Sequence, residues 1–222
     1  MGKWIYKRLR YLFSSLLDII FEDQGVCYIC GGNIDIPYPF CTICKGYLPY
    51  LKEPRLSYKG SSIDVIYSIF SFEDKIKEMI YSLKYNGKVE HAAVLGRVIA
   101  DFIENNNIKG DIIIPIPTHN NKVKKRGYNH IYLISDVVGK ITGIPVHKTL
   151  QKITNTRSQV LLSGSERWYN VKGSFKADLS YKGKHIILLD DLVTTGATAH
   201  FAAGELGSDK VTLISIASTK RF

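Results

Sequence analysis

Two adjacent carboxylates and a short run of hydroxyl-bearing residues form the stretch with the clearest chemical character. Asp190 and Asp191 follow the apolar run 186–189, and two further residues separate them from Thr194-Thr-Gly-Ala-Thr198. An apolar run this short is typical of a central parallel strand that is buried on both faces. We therefore expect a strand to end at the two acids and a helix to begin at about Ala197.

The threonines and the carboxylates suit different parts of one ligand. A loop that opens a helix directs backbone N–H groups and the positive end of the helix dipole at an anion, and Gly196 would let it close around a phosphate. Carboxylates repel phosphate, but they accept hydrogen bonds from vicinal hydroxyls and help to hold Mg²⁺. A ribose 5-phosphate would offer its phosphate to the threonine loop and its hydroxyls to the carboxylates. The alternative is a strand that ends in a solvated Asp-Asp turn, followed by threonines that cap a helix.

All four cysteines lie in one window, as two CxxC pairs that are separated by ten residues: Cys27, Cys30, Cys41 and Cys44. This spacing predicts a closed tetrahedral site for a structural zinc ion in a small ribbon. Two disulfides in a secreted protein are the alternative. The sequence shows no credible signal peptide and no cysteine elsewhere, which favours a reducing compartment. We expect a cytoplasmic location, with the inner face of the membrane as a further option.

The first 24 residues predict an amphipathic helix. Apolar residues recur at helical spacing from Ile5 to Ile20, and basic residues cluster between Lys3 and Arg10. Asp18 interrupts the apolar part and no small-residue cleavage site follows, so a signal peptide is not favoured. We expect this helix to pack on its own protein. Contact with a membrane or a partner is the alternative.

Length and charge restrict the class of protein and of partner. The chain has 222 residues with 30 basic and 20 acidic side chains, which gives a formal net charge of +10. One main domain with a full core and a small appendage fits this length. The positive charge favours a polyanionic partner, such as nucleic acid, phosphorylated metabolites or an acidic membrane surface. No apolar run approaches the ~18 to 20 residues of a membrane span, so we expect no transmembrane segment.

The remaining pattern alternates strands with helices. We expect strands over 63–72, 111–117 and 211–217, helices over 73–83, 89–104 and 131–141, and a basic turn over 84–88. A basic loop over 118–130 follows a strand, and loops at the carboxyl ends of parallel strands bind ligands. This loop can therefore bind an anion, although a solvated basic loop is the alternative. The polar stretch 151–173 predicts either a disordered insert or an active-site lid.

The order of these motifs resembles the ComF family of competence-associated, phosphoribosyltransferase-like proteins. The matching pieces are the cysteine ribbon, Pro115-Ile-Pro117, Arg126-Gly-Tyr-Asn129, Thr156-Arg-Ser-Gln159, Glu166-Arg167, Asn170–Phe175 and Asp190–Thr198. The resemblance implies an α/β fold: a type I phosphoribosyltransferase-like parallel sheet flanked by helices, with a small N-terminal Cys₄ zinc ribbon. The implied domains are the amphipathic helix over 1–24, the ribbon over 25–50 and the phosphoribosyltransferase-like domain over 60–222. The family commonly has glutamine where this chain has His130.

The same resemblance implies a role for each motif in binding phosphoribosyl pyrophosphate (PRPP). Asp190 and Asp191 would be the catalytic pair, holding the ribose hydroxyls and Mg²⁺. The 5-phosphate loop would continue with Leu192, Val193, Thr194, Thr195, Gly196, Ala197 and Thr198. The pyrophosphate loop would comprise Pro117, Thr118, His119 and Arg126. The lid would contain Arg157, Ser158 and Gln159.

By this resemblance we expect a protein of natural transformation that binds PRPP with Mg²⁺ and single-stranded DNA during DNA uptake. A helicase-type component of the uptake machinery is the implied partner. Tyr128, Trp168 and Tyr169 would stack on bases, unless they belong to the core. The alternative is an active type I phosphoribosyltransferase that acts on an unidentified nucleobase or other acceptor. The sequence leaves open whether the chain is an enzyme.

Overall fold

The computed structural model describes residues 25–34, 38–52, 55–56, 62–154 and 171–219. The chain divides into two compact units between Tyr47 and Leu48. The expected N-terminal helix over 1–24 and the lid residues Arg157, Ser158 and Gln159 lie outside the described residues, as do Trp168 and Tyr169. The domain boundaries and the lid therefore stay predictions.

The first unit contains the four cysteines and little regular structure. A bridge between Val26 and Asn33 brackets the first CxxC pair, and the second pair lies at the start of a short helix, α1 (Thr42–Gly46). The Cys41 sulfur accepts a hydrogen bond from the backbone N–H of Cys44 at 3.4 Å and thereby caps this helix. The chain thus folds around its cysteines through backbone turns.

The second unit is built on a five-stranded sheet with the order β1-β2-β7-β6-β3. Its edge strand β1 is antiparallel to β2, and the other neighbours are parallel. Strands β4 and β5 form a separate antiparallel pair. The strands are β1 (Arg55–Leu56), β2 (Val65–Ser71), β3 (Ile112–Pro115), β4 (Leu150–Lys152), β5 (Phe175–Ala177), β6 (His185–Val193) and β7 (Lys210–Ser218). The expected parallel sheet is confirmed.

Helices accompany the strands as expected, and they are α2 (Asp74–Tyr85), α3 (Glu90–Asn105), α4 (Asn120–Arg126), α5 (His130–Thr142) and α6 (Ala197–Gly204). Helix α2 buries the predicted stripe of Ile76, Met79, Ile80 and Leu83. Gly96 of α3 allows close packing on α5, because a Cβ there would lie 2.6 Å from the side chain of Val137. No helix among the described residues is long and apolar enough to cross a membrane.

Three expectations about individual elements need correction. Strand β6 does not end at the acids but runs through both to Val193, because β7 continues to pair with it up to Ser218. The basic segment after β3 forms helix α4, whose first turn is capped by the His119 side chain and whose end is set by Gly127 at φ 89°. Helix α2 extends to Tyr85, so the expected basic turn begins later than predicted.

Candidate functional site

The acid pair lies where β6 extends past its neighbour β3. The pairing of β3 with β6 ends at Pro115 and Leu189, one residue before Asp190. On the other side β7 still accompanies the acids, with Ser215 opposite Asp190. Because β3 has ended, the Asp190 and Asp191 side chains lie at the carboxyl edge of the parallel strands, where ligands bind in open α/β sheets. The predicted position of the pair at this edge therefore holds.

Asp191 is buried and held by two neighbours from different helices, one of them a cation. Its Oδ2 accepts a hydrogen bond from Nε2 of His130 at 2.8 Å, and the same oxygen forms an ion pair with Nζ of Lys84. Burial alone would raise the pKa of Asp191, but the positive charge of Lys84 and the contact with His130 outweigh it and lower that pKa. Asp191 is thus a carboxylate that the protein itself holds in the charged form.

His130 is a neutral imidazole with a fixed tautomer. Its Nδ1 lies 2.6 Å from Nη1 of Arg126, and a guanidinium can only donate, so Nδ1 must be the acceptor. The proton is then on Nε2, which donates to Asp191. Burial lowers the pKa of His130 despite the opposing effect of Asp191, which agrees with a neutral ring. The result is a continuous chain of hydrogen bonds from Arg126 through His130 to Asp191.

Asp190 has the opposite electrostatic character from its neighbour. Its Oδ1 accepts a hydrogen bond from the backbone N–H of Asp191 at 2.9 Å. Burial and repulsion by Asp191 raise the pKa of Asp190 to about 8, although Lys84 and Lys152 oppose the shift. When two carboxyl groups are this close, the ionisation of one disfavours the ionisation of the other. One acid of the pair is therefore charged and the other carries a proton near neutral pH.

Four basic side chains surround the two acids: Lys84, Lys122, Arg126 and Lys152. Lys84 and Lys152 interact with Asp190, and Lys84, Lys122 and Arg126 interact with Asp191. Burial lowers the pKa of Lys122 and of Lys152, and Lys84 and Arg126 lower the pKa of Lys122 further. The cluster therefore combines four basic groups with at most two negative charges, and the excess of positive charge favours an anionic ligand.

The loop after β6 opens helix α6, as the sequence predicted. Gly196 has φ 78° and is the N-cap, and the hydroxyl oxygen of Thr195 accepts a hydrogen bond from the N–H of Ala197 at 3.4 Å. Thr194, Thr195 and Thr198 are half-buried, whereas Gly196 and Ala197 are buried. Helix α6 ends at Gly204, so it is short. The predicted 5-phosphate residues, Leu192 to Thr198, thus directly follow the acid pair, and the first two of them still belong to strand β6.

The predicted pyrophosphate residues are divided between the site and helix α4. The Thr118 hydroxyl lies 3.4 Å from Nδ1 of His130, and Arg126 donates to the same nitrogen. Pro117 is buried after β3. His119 uses its ring nitrogen to cap the N–H of Asn121 and so acts in the local fold of α4. Thr118 and Arg126 therefore reach the His130–Asp191 chain.

The sequence did not single out Lys84, Lys122, Lys152 or His130 as site residues. Lys84 belongs to the predicted basic turn, and Lys122 to the predicted basic loop as a whole. His130 is the position at which the chain departs from the pattern of the family that it resembles. Asn129, which precedes it, has a buried side-chain oxygen without a hydrogen-bond partner among the described residues. An uncommon residue next to a motif was the one available signal for His130.

The four cysteines form a cluster in which the sulfur atoms lie within 4.8 Å of one another. Cys30 Sγ and Cys41 Sγ are 3.9 Å apart, close to the ~3.8 Å that tetrahedral geometry gives for two sulfurs at ~2.3 Å from zinc. Backbone N–H groups of Cys41 and Cys30 outweigh the effect of burial and lower the pKa of Cys27 to about 6. Desolvation and the neighbouring sulfurs raise the pKa of Cys44 to about 12. These four residues could hold a zinc ion, which would stabilise their sulfurs as thiolates despite the opposite pKa shifts of Cys27 and Cys44.

Comparison with known proteins supports the expected family. No protein-family model matches the chain. It is 26% identical to competence protein ComFC of Bacillus subtilis over 182 residues, which cover 80% of this chain and 70% of that protein. It is 25% identical to DNA utilization protein YhgH of Salmonella typhi, covering 82% of this chain and 84% of the relative. It is also 25% identical to competence protein F of Haemophilus influenzae, with 79% and 81% covered.

Solved structures with partial similarity are enzymes that use PRPP or carry phosphoribosyltransferase in their name. Glutamine PRPP amidotransferase from B. subtilis matches with a TM-score of 0.37 and 20% identity, over 55% of this chain and 25% of that one. Adenine phosphoribosyltransferase from Leishmania tarentolae matches with a TM-score of 0.38 and 10% identity, over 73% and 94%. Both TM-scores are below 0.5. The sequence similarity to curated competence and DNA utilization proteins supports the expected resemblance of this chain to the ComF family.

Proposed function

We propose that this protein binds PRPP in the pocket of the acid pair and handles single-stranded DNA during DNA uptake. One observation carries the PRPP half. An acid pair at the carboxyl edge of the sheet leads directly into a threonine-rich helix opening, and basic side chains surround it. A ligand with a diol and with phosphates at both ends is complementary to these three parts.

The charge of the pocket supports a polyphosphate more than a neutral sugar. Lys84 is already paired with Asp191, which leaves Lys122, Arg126 and Lys152 as the cations that could balance a pyrophosphate. Arg126 has a fixed position because it donates to His130. A fixed guanidinium in a partly desolvated site binds phosphate oxygens without a large ordering cost.

The carboxylates of the pair are the oxygen donors that Mg²⁺ prefers. Asp190 is the better placed of the two, since the Asp191 Oδ2 is already engaged by Lys84 and His130. With a pKa raised to about 8, Asp190 exchanges its proton readily near neutral pH and could then accept a cation or a hydroxyl. When bound with PRPP, Mg²⁺ would supply charge neutralisation at the pyrophosphate.

Different residues of the chain would then contact different parts of the ligand. His130 orients Asp191 through its Nε2–H, and Asp191 in turn holds the Lys84 ammonium at the pocket. Asp190 would accept a ribose hydroxyl. The backbone around Gly196, with Thr194, Thr195 and Thr198, would receive the 5-phosphate at the start of α6.

The DNA half of the proposal is supported by relatives and charge. The similar proteins are named for competence and for DNA utilization. The net charge of +10 suits a polyanion. We extend the proposal to a helicase-type partner in the uptake machinery and to a cytoplasmic location, with the inner face of the membrane as an option.

Titration calorimetry with PRPP and Mg²⁺ tests the pocket. We expect saturable binding to the wild-type chain and none to Asp190→Ala/Asp191→Ala. A matched control, Glu104→Ala/Asp136→Ala, removes two acids from α3 and α5 outside the acid pair and should bind PRPP like the wild type. Thermal melting of each variant verifies folding. Unchanged PRPP binding by a folded Asp190→Ala/Asp191→Ala variant would refute the pocket.

An active phosphoribosyltransferase is the second candidate, and the opposite pKa shifts of Asp190 and Asp191 favour it. Environments that push the pKa values of two neighbouring acids apart are typical of acid–base sites. Incubation of the chain with PRPP, Mg²⁺ and a panel of nucleobases tests this candidate. Acceptor-dependent release of pyrophosphate that Asp190→Asn abolishes would establish the enzyme. PRPP binding without release for any acceptor in the panel would favour the binding protein.

A further inference from the structure

Three aromatic rings form a stack along the exposed side of helix α2. The ring centroids of Phe72 and Tyr81 are 5.9 Å apart with an interplanar angle of 30°, and those of Tyr81 and Tyr85 are 5.6 Å apart at 37°. Tyr81 and Tyr85 are one helical turn apart, so their rings follow one side of the helix. We call Phe72, Tyr81 and Tyr85 the α2 aromatic stack.

The two tyrosines are not required by the hydrophobic core. Helix α2 buries a different set of residues, whereas Tyr81 is 47% and Tyr85 70% exposed. A tyrosine pair at this spacing stabilises an isolated helix by only about 0.2–0.5 kcal/mol. Large rings that remain in water next to one another are therefore better explained by a ligand with a flat apolar surface.

The stack adjoins the acid-pair pocket through Arg126. The Arg126 guanidinium carbon lies 5.7 Å from the Tyr85 ring centroid, and Nη1 of the same side chain contacts His130. The Tyr128 hydroxyl donates to the backbone oxygen of Leu83 at 2.6 Å and so ties the segment after α4 to α2. Lys84, the residue before Tyr85, pairs with Asp191. The stack and the pocket therefore share one continuous surface.

The charges around the stack differ between its two ends: Glu73 and Asp74 follow Phe72, whereas basic side chains of α4 lie at the Tyr85 end. Lys77 is exposed on α2, and Lys88, which follows the helix, pairs with Glu90 at 3.7 Å. Helix α4 has no acid in its first turn and has Lys124, Lys125 and Arg126 in its last turn. The acid on α2 nearest in sequence to Tyr81, Glu78, is neutralised by Lys75 at 2.7 Å. Rings flanked by cations match a ligand that carries both flat bases and phosphates.

We propose that the α2 aromatic stack is a binding surface for unpaired bases of single-stranded DNA, and that Arg126 and the neighbouring lysines contact the phosphates. This inference rests on the proposed handling of single-stranded DNA and names the surface for it. Stacking tolerates every base because each has a flat face, so the surface would bind without sequence preference. It would also bring the strand to the edge of the PRPP pocket, since Arg126 belongs to both.

Fluorescence anisotropy with labelled oligo-thymidylate tests the inference on the full chain. We expect Tyr81→Ala/Tyr85→Ala to weaken the affinity about tenfold or more, because stacking on both rings is lost. Tyr81→Phe/Tyr85→Phe keeps the rings and should stay within about twofold of the wild type. Tyr47→Ala, which removes an exposed tyrosine from the first unit, is the control and should have no effect. PRPP binding should be unchanged in Tyr81→Phe/Tyr85→Phe and in Tyr47→Ala, which leave the ring beside Arg126 in place.

Each of the other outcomes contradicts either the proposed DNA function or the inference about the α2 aromatic stack. If the wild type binds no oligonucleotide even at low salt, the proposed DNA function fails. If the wild type binds and Tyr81→Ala/Tyr85→Ala binds equally well, the stack inference fails and the DNA function stands. Equal losses in the alanine and phenylalanine variants would contradict stacking, as would duplex DNA that competes as well as single strands. A dimer that only the alanine variant disrupts, with unchanged DNA affinity, would make the stack a contact between copies.

Discussion

The cysteine cluster and the acid-pair pocket both concentrate ionisable groups, yet they balance their charge differently. The four sulfurs lie within 4.8 Å of one another, and the pKa values of Cys27 and Cys44 are shifted by burial, backbone N–H groups and the other cysteines. Asp191, in contrast, is already paired with Lys84 and His130, and further cations surround it. The cysteine cluster needs a metal cation from solution, whereas basic side chains of the protein balance the charge of the acid-pair pocket.

This difference separates a structural site from a ligand-binding one. Thiolates without counter-charges repel one another until a metal ion joins them, so the metal becomes part of the fold. An acid that is neutralised from within stays folded without ligand, and its surplus cations remain available. We therefore expect loss of zinc to damage structure in the first unit, and changes in the pocket to alter ligand binding and pH dependence in the second.

Removal of a cysteine should have the largest effect. Cys27→Ser removes one of the four ligands and should abolish the binding of one zinc ion per chain. The effect is large because structural zinc contributes about 10–16 kcal/mol to the folding of small Cys-rich sites. Metal content measured by atomic absorption checks this, with Tyr47→Ala as a control that should keep its zinc. Full zinc content in Cys27→Ser would contradict a four-sulfur site.

Asp191→Asn should have the next largest effect, on stability. The change leaves Lys84 as a largely buried charge without its partner, so we expect about 2–3 kcal/mol of destabilisation in urea unfolding at pH 7. Asp136→Asn, which breaks the more exposed pair with Lys148, should cost about 0–1 kcal/mol. Because the pKa of Asp191 is lowered in the fold, its contribution is complete above the ordinary aspartate pKa and disappears as the pH falls below it. Equal costs for the two variants would contradict the buried ion pair.

Asp190→Asn should change the stability with the opposite sign and in a pH-dependent way. The pKa of Asp190 is raised from 3.8 to about 8, so the folded state holds a proton that the unfolded chain has lost in between. The stability that this group contributes therefore decreases as the pH rises from about 4 to 8. The amide cannot ionise, and we expect the variant to be more stable than the wild type at pH 8.5 and to match it near pH 4. Urea unfolding across this range measures the difference, and parallel curves would contradict it.

The main strands and helices could be predicted because their signals are local. Helix α2 has its apolar stripe at helical spacing, and β6 and β7 have short branched runs that fit a buried parallel strand. The end of β6 was not predictable from its own residues, because pairing with β7 extends it to Val193. Helix α4 has local signals in His119 and Gly127, but its run of basic residues is also typical of a solvated loop.

The acid pair could be predicted, but its partners could not. Asp190 and Asp191 lie in one short motif with the threonines. His130 is 61 residues from Asp191 in the sequence, and Lys84 belongs to yet another helix. Contacts between such distant residues follow from the sheet order, which no single segment encodes. The same holds for the α2 aromatic stack, which depends on Phe72 lying before the helix and on Arg126 reaching Tyr85.

A crystal structure of the chain with PRPP and Mg²⁺ would locate the ligand. We predict the ribose hydroxyls within hydrogen-bond distance of Asp190, the 5-phosphate at the backbone of Thr194–Thr198, and the pyrophosphate toward Arg126. PRPP bound elsewhere on the protein, with Asp190 and Asp191 still without a ligand contact, would contradict it.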